Sequence, residues 1–257
     1  MSARLLAVDI GNTNTVIGSY ADAKLVDLWR TTTEPRATAD ECFMVFQSLV
    51  TDLDLVTDMV VCSTVPSLLA PMREMMKRYL PKVRPLMVEP GIKTGVQVSV
   101  DNPKEVGSDR IVNTLAVFTR HGGPSVVVDF GTSTNFDVVS EKGEFLGGAL
   151  APGIEISVDA LATRAAQLRK VELVEPRSVI GRNTVEALQS GVIYGFAGQV
   201  DGIVNRISNE LGPLKAVVAT GGLAHAVIGA CTTITHHEPD LTLEGLRLIH
   251  QRNFSDA

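Results

Sequence analysis

The stretch "LLAVDIGNTNTVIGSY", Leu5 to Tyr20, decides how the chain folds. An apolar run ends in Asp9. Gly11, Asn12 and Thr13 follow, and apolar character returns at Val16 and Ile17. This pattern predicts a strand, a tight turn and a second strand. A turn rich in Gly, Thr and Asn directs backbone N–H groups and hydroxyls into a concavity that suits phosphate oxygens. An Asp at the strand end, facing the same concavity, can hold a phosphate-bound divalent cation through water. Taken alone, the same residues also fit an Asx-type turn that binds nothing.

The stretch has a counterpart. "AVDIGNTNTVIGSY" (Ala7–Tyr20) lies over "VVDFGTSTNFDVVS" (Val127–Ser140), with Asp9 on Asp129, Gly11 on Gly131, Asn12 on Thr132 and Thr13 on Ser133. Each copy opens a region of about half the chain. Duplication predicts two like domains with a cleft between them, joined near Ile111–Gly123. Two such hairpins facing each other would grip a nucleotide's phosphates from both sides.

The remaining pattern alternates strands and helices, which makes the fold α/β. In the first half, Leu5–Asp9, Thr15–Tyr20 and Lys24–Arg30 read as antiparallel strands. A helix follows from Ala39, with Thr38 and Glu41 spaced as a capping box. Asp58–Val65 reads as a buried strand, "SLLAPMREMMKRYL" as an amphipathic helix and Leu86–Pro90 as a strand. In the second half "GEFLGGALAPG" supplies the third strand. Helices then start at Ile154 and Thr184, and Ala216–Gly222 is a strand. Gly191, Gly195, Gly198 and Gly202 fall on one helix face, each costing about 1 kcal/mol of helix propensity relative to Ala. A helix of the same domain or a second subunit would explain the close approach they permit. Trp29 and the methionines near Met72–Met76 read as core, and the adjacent His236 and His237 as an unpromising metal site.

Composition narrows the function. The chain has 257 residues and a formal net charge of −6, which argues against a nucleic-acid partner. Three well-separated cysteines read as reduced thiols, and no apolar run approaches the roughly 20 residues of a membrane span. These features, with no recognisable leader, lead us to expect a cytoplasmic protein with no membrane partner. There is no GxxxxGK[ST] and no GxGxxG, which excludes the P-loop and dinucleotide fingerprints. "DFG" at Asp129–Gly131 lacks the loops that a protein kinase would place before it.

A third constellation is "DNPKEVGSDRIVN", Asp101–Asn113. Asp109 and Arg110 follow Gly107 and Ser108 just before a helical segment. Asp109 fits an N-cap. It also fits a carboxylate that accepts a hydroxyl proton, with the Arg110 guanidinium binding an acidic substrate.

Taken together, "DIGNTNT", "DNPKEVGSDR", "VVDFGTSTNFD", "GGALAPG", "NTVEALQSGVIYGFAGQVDGI" and "ATGGLA" resemble the type III pantothenate kinases. That family belongs to the acetate and sugar kinase/Hsp70/actin superfamily. The resemblance implies two duplicated ribonuclease H-like domains around a central cleft, here 1–115 and 116–257, each an actin-like ATPase domain. It implies ATP-dependent phosphorylation of pantothenate, the first step toward coenzyme A, by a homodimer using Mg²⁺ and a monovalent cation, K⁺ or NH₄⁺. Carried over by motif, Asp9, Ile10, Gly11, Asn12, Thr13, Asn14, Thr15 and Val16 form the ATP hairpin, with Asp9 near Mg²⁺ through water. Thr132 contacts the γ-phosphate and Asp129 binds the monovalent cation. Gly107, Ser108, Asp109 and Arg110 form the pantothenate loop with Asp109 as general base, and Thr184 contacts substrate. Val100 stands where many relatives have a substrate-contacting Tyr, and Asn135 where a Thr is commoner. Two other readings share the fold: a non-catalytic regulatory homologue, and a kinase with a different hydroxylated acceptor.

Overall fold

The computed structural model describes residues 3–164 and 171–254. They fall into two compact units. One comprises residues 1–95, 102–116 and 242–257, and the other residues 96–101 and 117–241.

In the first unit β1 (Arg4–Ile10), β2 (Asn14–Ala21) and β3 (Lys24–Thr32) form an antiparallel meander. β4 (Val56–Ser63) joins the other edge of β1 in parallel, and β5 (Arg84–Met87) joins β4, so the order is β3-β2-β1-β4-β5. Period-2 alternation divides β1 between two faces. Leu6, Val8 and Ile10 point into a core with α1 (Ala39–Leu49) and α2 (Leu69–Tyr79), which contribute Phe46, Met72, Met75 and Met76. Trp29 packs against the same cluster. Helix α1 starts where the sequence places it. The Thr38 hydroxyl accepts from the Glu41 N–H at 3.3 Å, and the Glu41 carboxylate accepts from the Thr38 N–H at 2.8 Å.

Leu5, Ala7 and Asp9 point the other way. On that face Ala7 pairs with Gly18, and a Cβ on Gly18 would lie 2.8 Å from Leu243 of the last helix. That helix also approaches the start of α3 (Ser108–His121), where the Thr242 hydroxyl donates to Asn113 at 2.8 Å. The final helix is therefore part of the first unit's packing, although it comes at the far end of the sequence.

In the second unit β6 (Ser125–Phe130), β7 (Ser133–Val139) and β8 (Phe145–Pro152) repeat the meander. The chain continues through α4 (Ile154–Arg164), α5 (Thr184–Leu211), β9 (Ala216–Thr220), α6 (Ala224–Val227) and β10 (His236–His237), then enters α7 (Leu241–Phe254), the helix that packs on the first unit's sheet. The strand order β8-β7-β6-β9-β10 repeats the first sheet, with the same parallel and antiparallel senses. Val126, Val128, Phe130 and Phe136 pack against Ile193, Ala197 and Val200 of α5.

The two hairpins differ by one residue. Ile10 pairs with Thr15, but Phe130 pairs with Thr134. Gly11 N–H donates to Asn14 O and Gly131 N–H to Ser133 O, both at 3.0 Å. The gapless overlay of the two stretches therefore holds up to the glycine and slips by one residue after it. Other boundaries also move. β4 begins and ends two residues earlier than the expected strand, with a short 3₁₀ turn at Pro66–Leu68, and β9 stops at Thr220 because Gly221 adopts φ +90°. A Cβ on Gly191, Gly195 or Gly198 would have nothing within 4 Å. Among the described residues no helix of the same unit fills that face.

Asp201, on α5, anchors the segment leading to β10. Its carboxylate accepts from the backbone N–H and hydroxyl of Thr232, at 2.9 and 2.7 Å, and from those of Thr233, at 2.9 and 2.7 Å. Burial pushes the Asp201 pKa up, but these donors outweigh it and hold the acid below its ordinary value. The resulting stabilisation is present above the ordinary carboxylate pKa and is lost as pH falls through the lower, folded value. Asp201→Ala should cost about 1–2 kcal/mol at pH 7, discounted for solvent access. Denaturant melts should show the deficit shrinking below about pH 4; a deficit independent of pH would refute the charge-assisted anchor.

Candidate active site

The first unit's candidate residues meet where β1 and β4 end and α3 begins. The parallel register sets Asp9 beside Cys62 and Ile10 beside Ser63. Thr64 N–H donates to Ile10 O at 2.9 Å, and the Ser108 hydroxyl donates to Ser63 O at 3.4 Å, which ties the head of α3 to the end of β4. The Cys62 thiol donates to Asp9 Oδ1 at 3.2 Å. Asn12, Thr13 and Asn14 are exposed at the hairpin tip. Behind them the Thr15 and Thr33 hydroxyls lie 2.9 Å apart, and Thr33 N–H donates to Thr13 O at 2.9 Å. Ile10 is only 2% exposed, so its side chain belongs to the core and only its backbone can serve a ligand.

Two carboxylates share this corner. Burial raises the Asp9 pKa most and the charge of Asp109 raises it further, while the Cys62 thiol and the charge of Arg30 oppose them; the outcome is about 6. Arg30 reaches Asp9's face because Asp9, Val16 and Arg30 form one row across β1, β2 and β3. Burial likewise raises Asp109, against the Arg110 backbone N–H and guanidinium and its own N–H. A Cβ on Gly107 would lie 2.5 Å from Asp109 Oδ1, so the acid folds back closely over that glycine, and a side chain there would push the carboxylate aside.

In the second unit Asp129 is the one residue of β6 that is not fully buried, and it pairs with Thr220 of β9. A Cβ on Gly221 would lie 2.5 Å from Asp129 Oδ1, which gives the first glycine of "ATGG" a steric reason. Thr132 is exposed in the β6–β7 turn, and Gly153 packs so closely beneath it that a Cβ there would lie 2.3 Å from Thr132 O. The Ser133 hydroxyl donates to Asn135 Oδ1 at 2.8 Å. Val100 lies beside β8, its Cγ1 3.6 Å from where a Gly147 Cβ would stand. Thr184 is exposed as the first residue of α5, behind the cap Asn183, whose side chain accepts from Glu186 N–H at 2.9 Å. The structure thus groups Asp9–Val16 with Gly107–Arg110 in one unit. Asp129, Thr132, Val100 and Thr184 belong to the other.

Sequence reasoning did not single out Cys62, Ser63 or Arg30. Their signal is the pairing of β1 with β4 and β3, which no local motif expresses. Among the described residues no group of three or more His, Cys, Asp or Glu side chains could hold a metal ion. Asp9 nevertheless fits a hard cation that brings its own oxygens, since one carboxylate oxygen carries the thiol and the other accepts no hydrogen bond from the described residues. No described helix is long and apolar enough to cross a membrane.

Two sheets of identical order, each with an Asp near the end of its central strand before a Gly-Asn/Thr turn, define the acetate and sugar kinase/Hsp70/actin fold. A Baf family protein from Campylobacter jejuni shares the architecture at TM-score 0.62 and 19% identity, over 98% of this chain and 100% of that one. So does an activator of 2-hydroxyisocaproyl-CoA dehydratase from Clostridium difficile, solved with bound ADPNP, at TM-score 0.57 and 13% identity over 98% and 97%. At such identities the likeness carries the fold alone. The family profile of type III pantothenate kinase matches residues 5–206, and the type III pantothenate kinase of Salinispora arenicola is 61% identical over 97% of this chain and 99% of its own. The chain belongs to the type III pantothenate kinase family.

The neighbouring acids make a measurable prediction for the metal-free protein. Asp109→Asn removes the repulsion that Asp9 feels, so Asp9 should titrate below about 6, yet above the ordinary 3.8 because burial is the larger cause. Carboxyl ¹³C NMR would follow it; a titration unmoved by the substitution would mean the two groups do not interact.

Proposed function

We propose that this chain phosphorylates the primary hydroxyl of pantothenate with ATP, giving 4′-phosphopantothenate, the first committed product toward coenzyme A. Membership of the family gives the reaction. What supports the assignment of roles is one observation: a desolvated Asp109 at the head of α3, coupled by charge to Asp9 at the end of the phosphate hairpin.

Asp109 is the general base. Its raised pKa makes it a better proton acceptor than a solvated carboxylate. The demand on it is modest. In a loose phosphoryl-transfer transition state the hydroxyl loses its proton late, so alignment and neutralisation of charge lower most of the barrier. The backbone and hydroxyls of Asp9–Val16, with Thr132, hold phosphate oxygens. Asp9 would hold Mg²⁺ through water, and the cation would supply charge neutralisation at the phosphates; Asp129 would hold a monovalent cation. Gly107, Ser108 and Arg110 hold pantothenate, whose carboxylate suits a guanidinium. Thr184 and Val100 complete the substrate contacts, Val100 with an aliphatic surface in place of an aromatic one.

The enzyme works in the cytoplasm as a homodimer. The free thiols Cys42, Cys62 and Cys231 support the first statement. The second is supported by α5, where Gly191, Gly195 and Gly198 leave open a face on which a second copy can lie closely.

Two experiments test this reading. With ATP, Mg²⁺ and K⁺, Asp109→Asn should lower kcat on pantothenate by about 100-fold or more while ATP affinity stays within threefold. Retained turnover would remove Asp109 from the chemistry, and wild-type turnover only on another alcohol would change the substrate. Light scattering should find a wild-type dimer and a folded, monomeric Gly195→Leu; a Gly195→Leu dimer of wild-type affinity would put the interface elsewhere.

A further inference from the structure

Cys62 is 0% exposed near the end of β4, after Val60 and Val61, which are equally buried. Packing alone would be served there by another valine. Instead the position carries a donor, and its hydrogen bond is aimed at Asp9 Oδ1 at 3.2 Å. Burial, Asp9 and Asp109 all push the thiol's pKa well above its ordinary range, so the sulfur keeps its proton and remains a donor. A thiol is a weak donor, but its acceptor here is a desolvated carboxylate that receives no other hydrogen bond from the described residues.

The second half repeats the arrangement in its own terms. Asp129 pairs in the same parallel register with Thr220, again a small side chain with a donor, 2% exposed. In each copy the acid that ends the central strand faces a buried donor-bearing residue on the neighbouring parallel strand. Chance filling of a core position would more readily give an aliphatic residue at both places.

The geometry points to Cys62 as a positioning residue for Asp9: its S–H holds Oδ1, fixes the carboxylate's rotation and leaves Oδ2 for a water of the nucleotide-bound divalent cation. This rests on the reading of Asp9 as the acid on the magnesium side of the site. The thiol touches no substrate; it acts through Asp9.

Cys62→Val and Cys62→Thr give nearly the same shape and differ by a hydroxyl, so together they separate packing from hydrogen bonding. Calorimetry would measure ATP affinity with Mg²⁺ and with EDTA for each protein. Cys62→Val should reduce the magnesium-dependent gain about tenfold, Cys62→Thr should keep it within about threefold, and ATP in EDTA should bind all three alike. A purely structural role predicts the reverse order, because a buried hydroxyl with no acceptor is costlier than a methyl group. Full gain in Cys62→Val, equal loss in both variants, or no magnesium-dependent gain in the wild type would overturn the proposal. Should thermal melts show that the branched pair does not fold, Cys62→Ala and Cys62→Ser repeat the same contrast. Pantothenate turnover is read separately. A wild type that fails to phosphorylate pantothenate yet shows the Cys62 contrast would sink the substrate reading and leave this one standing.

Discussion

The first unit is organised around a carboxylate that its own fold makes uncomfortable. Asp9 ends the central strand of the sheet, is largely removed from water and faces the charge of Asp109, and both conditions favour its protonated form. A site that needs negative charge at neutral pH has to offset this with donors and positive charge. The Cys62 thiol and Arg30 supply part of that offset within the protein. A cation would complete it, and an acid left short of compensation is correspondingly eager for one. The same environment makes Asp109 a stronger base, so burial near this corner serves both acids at once.

The arrangement depends on where chain segments start and stop more than on any rare residue. β4 runs parallel to β1 and delivers Cys62 and Ser63 level with Asp9 and Ile10. Ser63 in turn receives the Ser108 hydroxyl, so α3 begins against that edge and carries Asp109 with it. Gly107 then lets the Asp109 carboxylate fold back toward the first turn of its own helix. Moving α3 by one residue would turn Asp109 by about 100° around the helix axis and remove it from Asp9's field. Substitutions far from any ligand can act on the chemistry through this packing.

What the sequence made legible was local. The hairpin Asp9–Val16, the Thr38–Glu41 capping box and the alternation of β1 each follow from residues a few positions apart, and the structure contains all three. The contact between Cys62 and Asp9 spans 53 positions and depends on a parallel register, which no short motif encodes. The one-residue slip after Gly131 was hidden because Thr132 and Ser133 are the residue types that the longer turn also uses. The docking of α7 on the first unit's sheet was hidden too. Its apolar residues Leu243, Leu246 and Ile249 announce a buried face but not which sheet it covers. The glycines of α5 show the same limit, since their spacing predicts a close approach without naming what approaches.

Comparison of the two halves separates what the duplication kept from what it let go. Strand order, strand sense, the Asp at the strand end and the glycine after it are common to both. Both also set a buried donor-bearing residue, Cys62 or Thr220, level with that acid, but the neighbouring strand differs in what comes next. At Asp9 the neighbouring strand continues through Cys62 to Ser63, so a side chain meets the carboxylate. At Asp129 the neighbouring strand breaks at once into Gly221, whose φ of +90° and missing side chain bring backbone against the carboxylate. A backbone turn is a fixed wall, whereas a side-chain donor can be exchanged without disturbing the strand. The first copy therefore holds its acid by something a single substitution can adjust. The second holds its acid by a glycine that no other residue can replace without displacing the carboxylate or straining the chain. That asymmetry leaves one acid open to tuning by substitution while the other is fixed by the backbone.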